Sequence, residues 1–425
     1  MFAHIIAAAT TVLTIAGLGY SAVALMGARA SVRRLRIAPG FAPPVTILKP
    51  LRGVDAGMAE AFASHCRQEY PGDCEILFGV ASPDDPAAEL VHQLQEQFPR
   101  HAIRLLVCPE NLGPNGKVSC LAQLLPYARH DFLVINDSDI RVGPRYLAHI
   151  MAPFALTERQ PPVGLVTALY RGRTHGRSGT ARRATLGSKL EALGISTDFA
   201  LAVLTSRWLE RGLHFGLGST LAVSRAALDA IGGLAPLAEY LADDYQLGAR
   251  VHAAGFRIEL AHEIVETSVP GWSFSGFVQH QLRWMRTMRE SRRAGYAGMV
   301  FSYGLAWAFL NLIACGLSLP ALALFSIALL CRVSLALGVG VGILGDGQVL
   351  RDLWLLLPRD LLALALWAWS YASDTVEWRG ERMLIRDGKI LRPETGNGSG
   401  TNAHYAGEAT ADSSLTTPEP APKSR

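Results

Sequence analysis

Apolar residues in this chain gather into two kinds of run. The first kind is long. His4 to Met26 contains no Asp, Glu, Lys or Arg, and as a helix it is long enough to cross about 30 Å of hydrocarbon. Phe301 to Leu344 is a second long tract, broken among the strongly polar types only by Asn311 and Arg332, with room for two helices joined near Ser318-Leu319-Pro320. Leu353 to Tyr371 is a third, interrupted by Pro358-Arg359-Asp360. A charged pair in mid-segment is costly in lipid, so this tract reads as interfacial, as re-entrant, or as a helix whose polar part faces protein. Together the tracts predict three or four spans.

The second kind of run is short. Between about Pro43 and Arg293, Val45-Thr46-Ile47-Leu48, Glu75 to Val80, Ile103 to Val107, Phe132 to Ile135 and Val163 to Leu169 read as strands. Helical periodicity fills the gaps, as in Pro86 to Phe98 and Lys117 to Tyr127. Strands alternating with helices at this spacing predict βαβ units and a mostly parallel sheet. The expected organisation is an anchor over 1–28, an α/β domain over 43–293, a membrane region over 301–372, and a tail over 394–425. The tail is rich in Gly, Ser, Thr, Pro and Ala, which predicts disorder.

Charge sharpens the membrane reading. The net charge is +4, and the basic residues cluster beside the apolar tracts, which points to lipid headgroups and away from nucleic acid. Arg29, Arg33, Arg34 and Arg36 follow the first tract. A signal peptide carries its charges before the apolar core, so this is a retained anchor, with the following domain on the cytoplasmic side. The basic stretch Trp378-Arg379-Gly380-Glu381-Arg382 argues for a cytoplasmic C-terminal side as well. The six cysteines show no CxxC or other metal spacing and read as small buried hydrophobes in a reducing compartment.

Five stretches of the α/β region carry candidate chemistry. Asp137-Ser138-Asp139 ends the strand Phe132 to Ile135, at the edge where open α/β sheets bind ligands. Two carboxylates there suit a hard divalent cation that holds a diphosphate, although Asn, Asp and Ser also make ordinary turns. Asp85, in Ser82-Pro83-Asp84-Asp85-Pro86, is equally readable as a helix cap. Lys117 opens a helix against its dipole, which suggests a bound anion, and a solvated lysine is the simpler reading. It is one of only five lysines beside thirty-five arginines. Asp243-Asp244 begins a helix after the Gly-rich Phe215 to Thr220; it suits either a cap or a general base. Arg283-Trp284 suits a diphosphate clamp, and the following Arg286, Arg289, Arg292 and Arg293 suit headgroup contacts.

These five elements, in this order, resemble the inverting, nucleotide-sugar-dependent glycosyltransferases of the GT-A fold. They are most similar to the ceramide glucosyltransferase family and its bacterial relatives. That family shows a first aspartate after an early strand, a DxD-like site, an aspartate base and a (Q/R)xxRW motif. The similar positions here are Asp85, Asp137 with Asp139, Asp244, and Arg283-Trp284. His280 departs from the motif, standing where Gln or Arg is expected. Within the family the chain is most similar to bacterial hopanoid-biosynthesis-associated glycosyltransferases. The stretches that carry this are Thr46 to Leu51, Asp137 to Val142, Leu241 to Tyr245 and Trp378-Arg379-Gly380.

The resemblance implies a GT-A-type, Rossmann-like cytosolic domain with N- and C-terminal transmembrane helices in a bacterial inner membrane. It implies a UDP-sugar donor, a lipid acceptor and Mn2+ or Mg2+ on Asp139 and Asp137. Asp85 and Lys117 would serve the nucleotide, Asp244 would be the base, and Arg283 would face the leaving diphosphate. The implied reaction is transfer of N-acetylglucosamine to a hopanoid polyol, with ceramide receiving glucose as runner-up. A polyprenyl-phosphate sugar transferase shares the cytosolic fold. A processive polysaccharide synthase would need more spanning helices, and intact carboxylates at every position speak against an inactive scaffold. Phe199 to Trp208, apolar and between the DxD and the base, reads either as an acceptor face or as a core helix.

Overall fold

The computed structural model describes residues 1–32, 40–156, 160–174, 184–378 and 381–391. Arg33, Arg34, Arg36, Arg379, Gly380 and the tail 394–425 lie outside the described residues.

The short apolar runs form the strands expected of them. These are β1 (Val45–Pro50), β2 (Cys74–Val80), β3 (Ala102–Val107), β4 (Phe132–Ile135), β5 (Ile140–Arg141), β6 (Val163–Thr174), β7 (Leu221–Ser224) and β8 (Arg257–Val269). They make one sheet in the order β3-β2-β1-β4-β7-β6-β8-β5. The first four are mutually parallel. The inner strands β1, β2 and β4 are mostly apolar because both of their faces are covered. Leu48 and Leu77 pack on one side with Val118, Leu121 and Leu124 of the helix Gly116–Leu124. Ile47, Ile76 and Phe78 pack on the other with Phe62, Val91 and Leu94.

The sheet is mixed beyond β4: β7 runs antiparallel to both β4 and β6, and β5 antiparallel to β8. Six of the eight strands, β1 to β4 with β6 and β8, still run the same way, so the mostly parallel expectation holds, and β7 and β5 are the reversals that sequence periodicity does not report. The chain order reverses on either side of β1, making the β1/β4 boundary a topological switch point, where α/β sheets open a ligand crevice.

Two helices, Phe2–Ser31 and Leu319–Ile343, are long and apolar enough to cross a membrane, by length and composition. A third candidate arises if Arg293–Ser302 and Gly304–Ala314, bent by 53°, form one span. That is two or three among the described residues, against the three or four read from the tracts. Large apolar side chains stand exposed on them, among them Val12, Ile15, Leu319 and Leu330, as a lipid-facing surface requires.

The helices are joined by polar contacts within the bundle. Asn311 Oδ1 accepts from Thr11 Oγ1 at 2.7 Å and from Thr10 Oγ1 at 3.2 Å. Gly17 and Gly304 let the backbones touch: a Cβ on Gly17 would lie 2.5 Å from the Gly304 Cα. Arg332 donates to both oxygens of Asp360 at 2.8 and 2.9 Å and also reaches Asp198. Arg359 lies 3.2 Å from the other Asp198 oxygen. Asp198 comes from a π-helical turn, Ile195–Phe199. The charged pair of the third tract therefore faces protein, one of the alternatives its sequence left open.

The arginines after Trp284 also differ from the headgroup reading. Arg286 donates to the Thr375 carbonyl at 2.6 Å, and Arg289 pairs with Asp374. Arg292 pairs with Glu210 at 2.6 Å, and Arg293 with Asp387 at 2.9 Å. They bind a three-stranded sheet of β9 (Thr375–Trp378), β10 (Glu381–Arg386) and β11 (Lys389–Leu391), and a neighbouring helix, which sequence spacing alone does not reveal.

Candidate active site

The antiparallel pairing of β4 with β7 sets Ile135 opposite Leu221. The residues after β4 therefore meet the loop before β7. Asn136, fully buried, donates to the Ser219 carbonyl at 2.7 Å and to Tyr146 Oη at 2.9 Å, and its Oδ1 faces His65 Nε2 at 3.2 Å. This rivets the turn that carries Asp137. Beneath it, Lys49 Nζ donates to the Asp137 carbonyl at 3.3 Å. Burial holds the Lys49 ammonium down to about 7, against the opposing pull of Asp139 and Asp137. Asp139 is aimed by a different strand: Ile140 pairs with Thr267, so the Asp139 carboxylate accepts from Thr267 Oγ1 and, at 3.2 Å, from Ser268 N. Burial, then the charge of Asp137, raises its carboxyl to about 6.

Lys117 and Asp243 are brought together by Asn115. Its Oδ1 caps the helix Gly116–Leu124 by accepting from Lys117 N and Val118 N. Its Nδ2 donates to the Tyr240 carbonyl at 2.8 Å, in the loop that leads to the helix Asp243–Ala253. Lys117 Nζ then sits 2.7 Å from Asp137 Oδ1 and 3.0 Å from Asp243 Oδ2. Those carboxylates hold its ammonium well above the usual lysine range despite burial. The anion expected at this helix start is thus supplied by the chain itself.

Asp244 faces the other way. Its Oδ2 accepts from Gly218 N at 2.8 Å and its Oδ1 from Tyr245 N at 2.7 Å. Its helix presses against the Gly-rich loop so closely that a Cβ on Gly248 would stand 2.1 Å from Gly216 N. Burial, then Asp243, pushes the Asp244 carboxyl up to about 6, with Lys117 opposing.

One cavity of about 1600 Å³ holds Asp85, Lys117, Asp137, Asp139, Asp243, Asp244, Arg283 and Trp284 in its lining. Asp85 is in this lining beside the loop after β1. Its carboxylate accepts from Gly53 N at 2.9 and 3.1 Å and from Ala87 N at 2.9 Å, so it is both a helix cap and a clamp on the loop after β1. Arg283 Nη2 donates to His280 Nδ1 at 3.3 Å, and Trp284 packs between His280 and Phe199. These eight residues therefore reach one cleft, whereas Arg286, Arg289 and Arg293 do not line it. Lys49, Asn136 and Glu191 were missed as site residues. Lys49 stood inside a quoted stretch without a role; a lysine in an apolar strand was its signal. Asn136 opened the DxD stretch and read as a turn residue, and Glu191 stands with Lys189 as one of two charges in a short, mostly apolar helix.

A switch-point cleft walled by carboxylates places the chain among α/β proteins that take a ligand across the C-terminal edge of the sheet. A family model described as Glycosyl transferase family 21 matches residues 9–391, and the chain belongs to that family. Similar curated proteins include ceramide glucosyltransferase 3 of Caenorhabditis elegans, 24% identical over 244 residues, covering 57% of this chain and 50% of that protein. Ceramide glucosyltransferase of Komagataella phaffii is 33% identical over 116 residues, covering 26% of this chain and 23% of that one. The chain spans about half the length of the first curated relatives it matches. Among solved structures, the mannosyltransferase PcManGT from Pyrobaculum calidifontis, in complex with GDP-Man and Mn2+, aligns with a TM-score of 0.49 at 18% identity, over 86% of this chain and 99% of that chain.

Proposed function

We propose that the chain is a membrane-bound inverting glycosyltransferase that moves one sugar from a UDP-sugar to a hydroxyl of a membrane lipid. The observation that carries this is the single continuous cavity. One end is the carboxylate cluster at the switch point. The other is lined by Tyr20 of the N-terminal helix, Val203, Leu209 and Met299. A pocket of ordinary size holds roughly 300–1,000 Å³; about 1600 Å³ has room for a nucleotide sugar together with an acceptor.

The donor chemistry fits a divalent cation. Asp137 and Asp139 offer only carboxylate oxygens, the ligands of hard cations, and the Lys117 ammonium already sits 2.7 Å from Asp137. Among the described residues no group of three or more His, Cys, Asp or Glu is placed to hold a metal alone. Mg2+ is commonly held by one or two carboxylates with substrate phosphates completing the shell. Asp137 and Asp139 would thus hold Mn2+ or Mg2+, and the ion when bound would neutralise charge on the diphosphate. Asp85 shapes the nucleotide-side rim, and Lys117 and Arg283 supply positive charge toward the phosphates.

Asp244 is the base. Asp243 is tied to Lys117, whereas Asp244 accepts two backbone N–H bonds and forms no ion pair with a lysine among the described residues. As the acceptor oxygen bonds to the anomeric carbon, its proton passes to Asp244. The bond from that carbon to UDP breaks with both electrons leaving on the diphosphate. One displacement inverts, so an α-linked donor gives a β-glycoside.

For the acceptor, the four stretches resembling the hopanoid branch favour N-acetylglucosamine transfer to a hopanoid polyol. The second reading, glucose to ceramide, draws on the names of the similar curated proteins. The test is to incubate the purified chain with UDP-N-acetylglucosamine or UDP-glucose and each lipid, then weigh the products. A single added sugar on one lipid is expected. A ladder of additions, or transfer only to a soluble acceptor, would overturn the lipid reading.

A further inference from the structure

The wall of the cavity on the side of the helix Phe274–Ser291 holds an arrangement that the transfer chemistry above leaves unused. Glu191 is only 5% exposed, a depth at which carboxylates are paired and fully hydrogen-bonded. Its Oε1 lies 3.3 Å from His280 Nε2, and its Oε2 is buried with no hydrogen-bond partner. Trp272 Nε1 is buried and equally without a partner. The Trp272 and His280 rings pack with centroids 4.9 Å apart, so the unpaired groups share one neighbourhood. All three residues line the cavity.

The hydrogen positions follow from the neighbours. Arg283 can only donate, so His280 Nδ1, 3.3 Å from Arg283 Nη2, accepts. The neutral ring then carries its proton on Nε2, pointing toward Glu191. His280 Nε2 is itself without a well-formed hydrogen bond. The wall therefore presents an anionic acceptor with a free oxygen and an indole donor with a free proton. Buried polar atoms left unpaired are costly, and a ligand that satisfies them is bound selectively over one that lacks the matching groups. An anion is excluded as that ligand by the Glu191 charge. A cation is disfavoured by the indole donor. A hydroxyl pair, one oxygen donating and its neighbour accepting, satisfies both.

We propose that Glu191 Oε2 and Trp272 Nε1 form a diol-binding subsite in the wall of the cleft, taking vicinal hydroxyls of the sugar or of a polyol acceptor. It deepens the proposed transferase reading and rests on it. Indole faces on Trp272 and Trp284 suit the C–H faces of a carbohydrate in the same place.

The test uses the full chain in detergent, as wild type, Glu191→Gln and Trp272→Phe. Calorimetry measures UDP and UDP-glucose or UDP-N-acetylglucosamine separately, and steady-state kinetics measures the lipid acceptor. If the diol belongs to the donor sugar, each variant binds UDP as wild type does but binds the UDP-sugar about tenfold more weakly. If it belongs to the acceptor, both nucleotides bind normally and KM for the polyol lipid rises about tenfold. Variants that match wild type in all three measurements overturn the subsite. A Glu191→Gln protein that also loses UDP has lost its fold, and Trp272→Phe alone then decides. A wild-type chain that binds no UDP-sugar overturns the transferase reading itself.

Discussion

Two groups of charges, one in the cleft and one between the helices, are built on different terms. In the cleft, Asp137, Asp243 and Asp244 crowd around Lys117, and Asp139 with Asp137 faces Lys49 below. Between the helices, Arg332 and Arg359 meet Asp198 and Asp360, two charges of each sign, with Arg332 gripping Asp360 through two bonds. The second group is balanced in charge, although Arg359 Nη1 is left without a hydrogen-bond partner. The first is short of positive charge and open to a large cavity. A network balanced in charge needs no counter-ion from a ligand. An excess of carboxylate at a switch point is complete only when something cationic, or a partner that brings a cation, arrives.

The sharpest way to break the cleft is Asp244→Asn, which should reduce transfer by about 10²–10⁴-fold while leaving UDP-sugar affinity within about threefold. Turnover near wild type would move the base to Asp243. The matching blow to the other group is Arg332→Met. It leaves Asp198 and Asp360 without their shared cation, a loss of roughly 3–5 kcal/mol for a broken buried pair. It should appear as a lowered unfolding midpoint and poor yield in detergent, and a midpoint equal to wild type would show the network to be dispensable. The contrast is that Asp244→Asn should not lower that midpoint.

The strands and the acidic cleft were legible in the chain because their causes are local. A parallel strand covered on both faces is mostly apolar, as β1, β2 and β4 are apart from Thr46, Lys49 and Glu75. Asp137 and Asp139 end such a strand, and Asp243 and Asp244 begin a helix. The balanced group was not legible, because Asp198 and Arg332 are partners separated by 134 residues and nothing in either neighbourhood names the other. Arg286 and Arg289 were misread for the same reason: their partners, Thr375 and Asp374, lie in a sheet formed far downstream. The antiparallel run of β7 and the burial of Glu191 likewise depend on what packs against them.

Smaller effects sharpen the comparison. Asp139→Ala should weaken UDP-sugar binding, and excess EDTA should do the same to wild type; full activity in EDTA would remove the metal from the cleft. Asp244 works as a base only when ionised, and its carboxyl is raised to about 6. Transfer should therefore rise as pH climbs through about 6 and level above it. A rate flat from pH 5 to 7, across that value, would contradict the assignment. The least effect is expected at Asn311→Leu, which removes one interhelical hydrogen-bonding group, worth about 0.6 kcal/mol in a membrane bundle.

The contact of Gly17 with Gly304 bears on how the protein is made. The two glycines are about 290 residues apart, so at roughly 5–20 residues per second the second leaves the ribosome some tens of seconds after the first. Through that interval the first helix has exposed Thr10, Thr11 and Gly17 without the helix that will cover them. Its hydroxyls bridge the gap by donating to their own backbone: Thr10 to Ile6 O, Thr11 to Ala7 O and Thr14 to Thr10 O. Assembly is thus deferred, with the helix that carries Gly17 held ready for a partner made about 290 residues later.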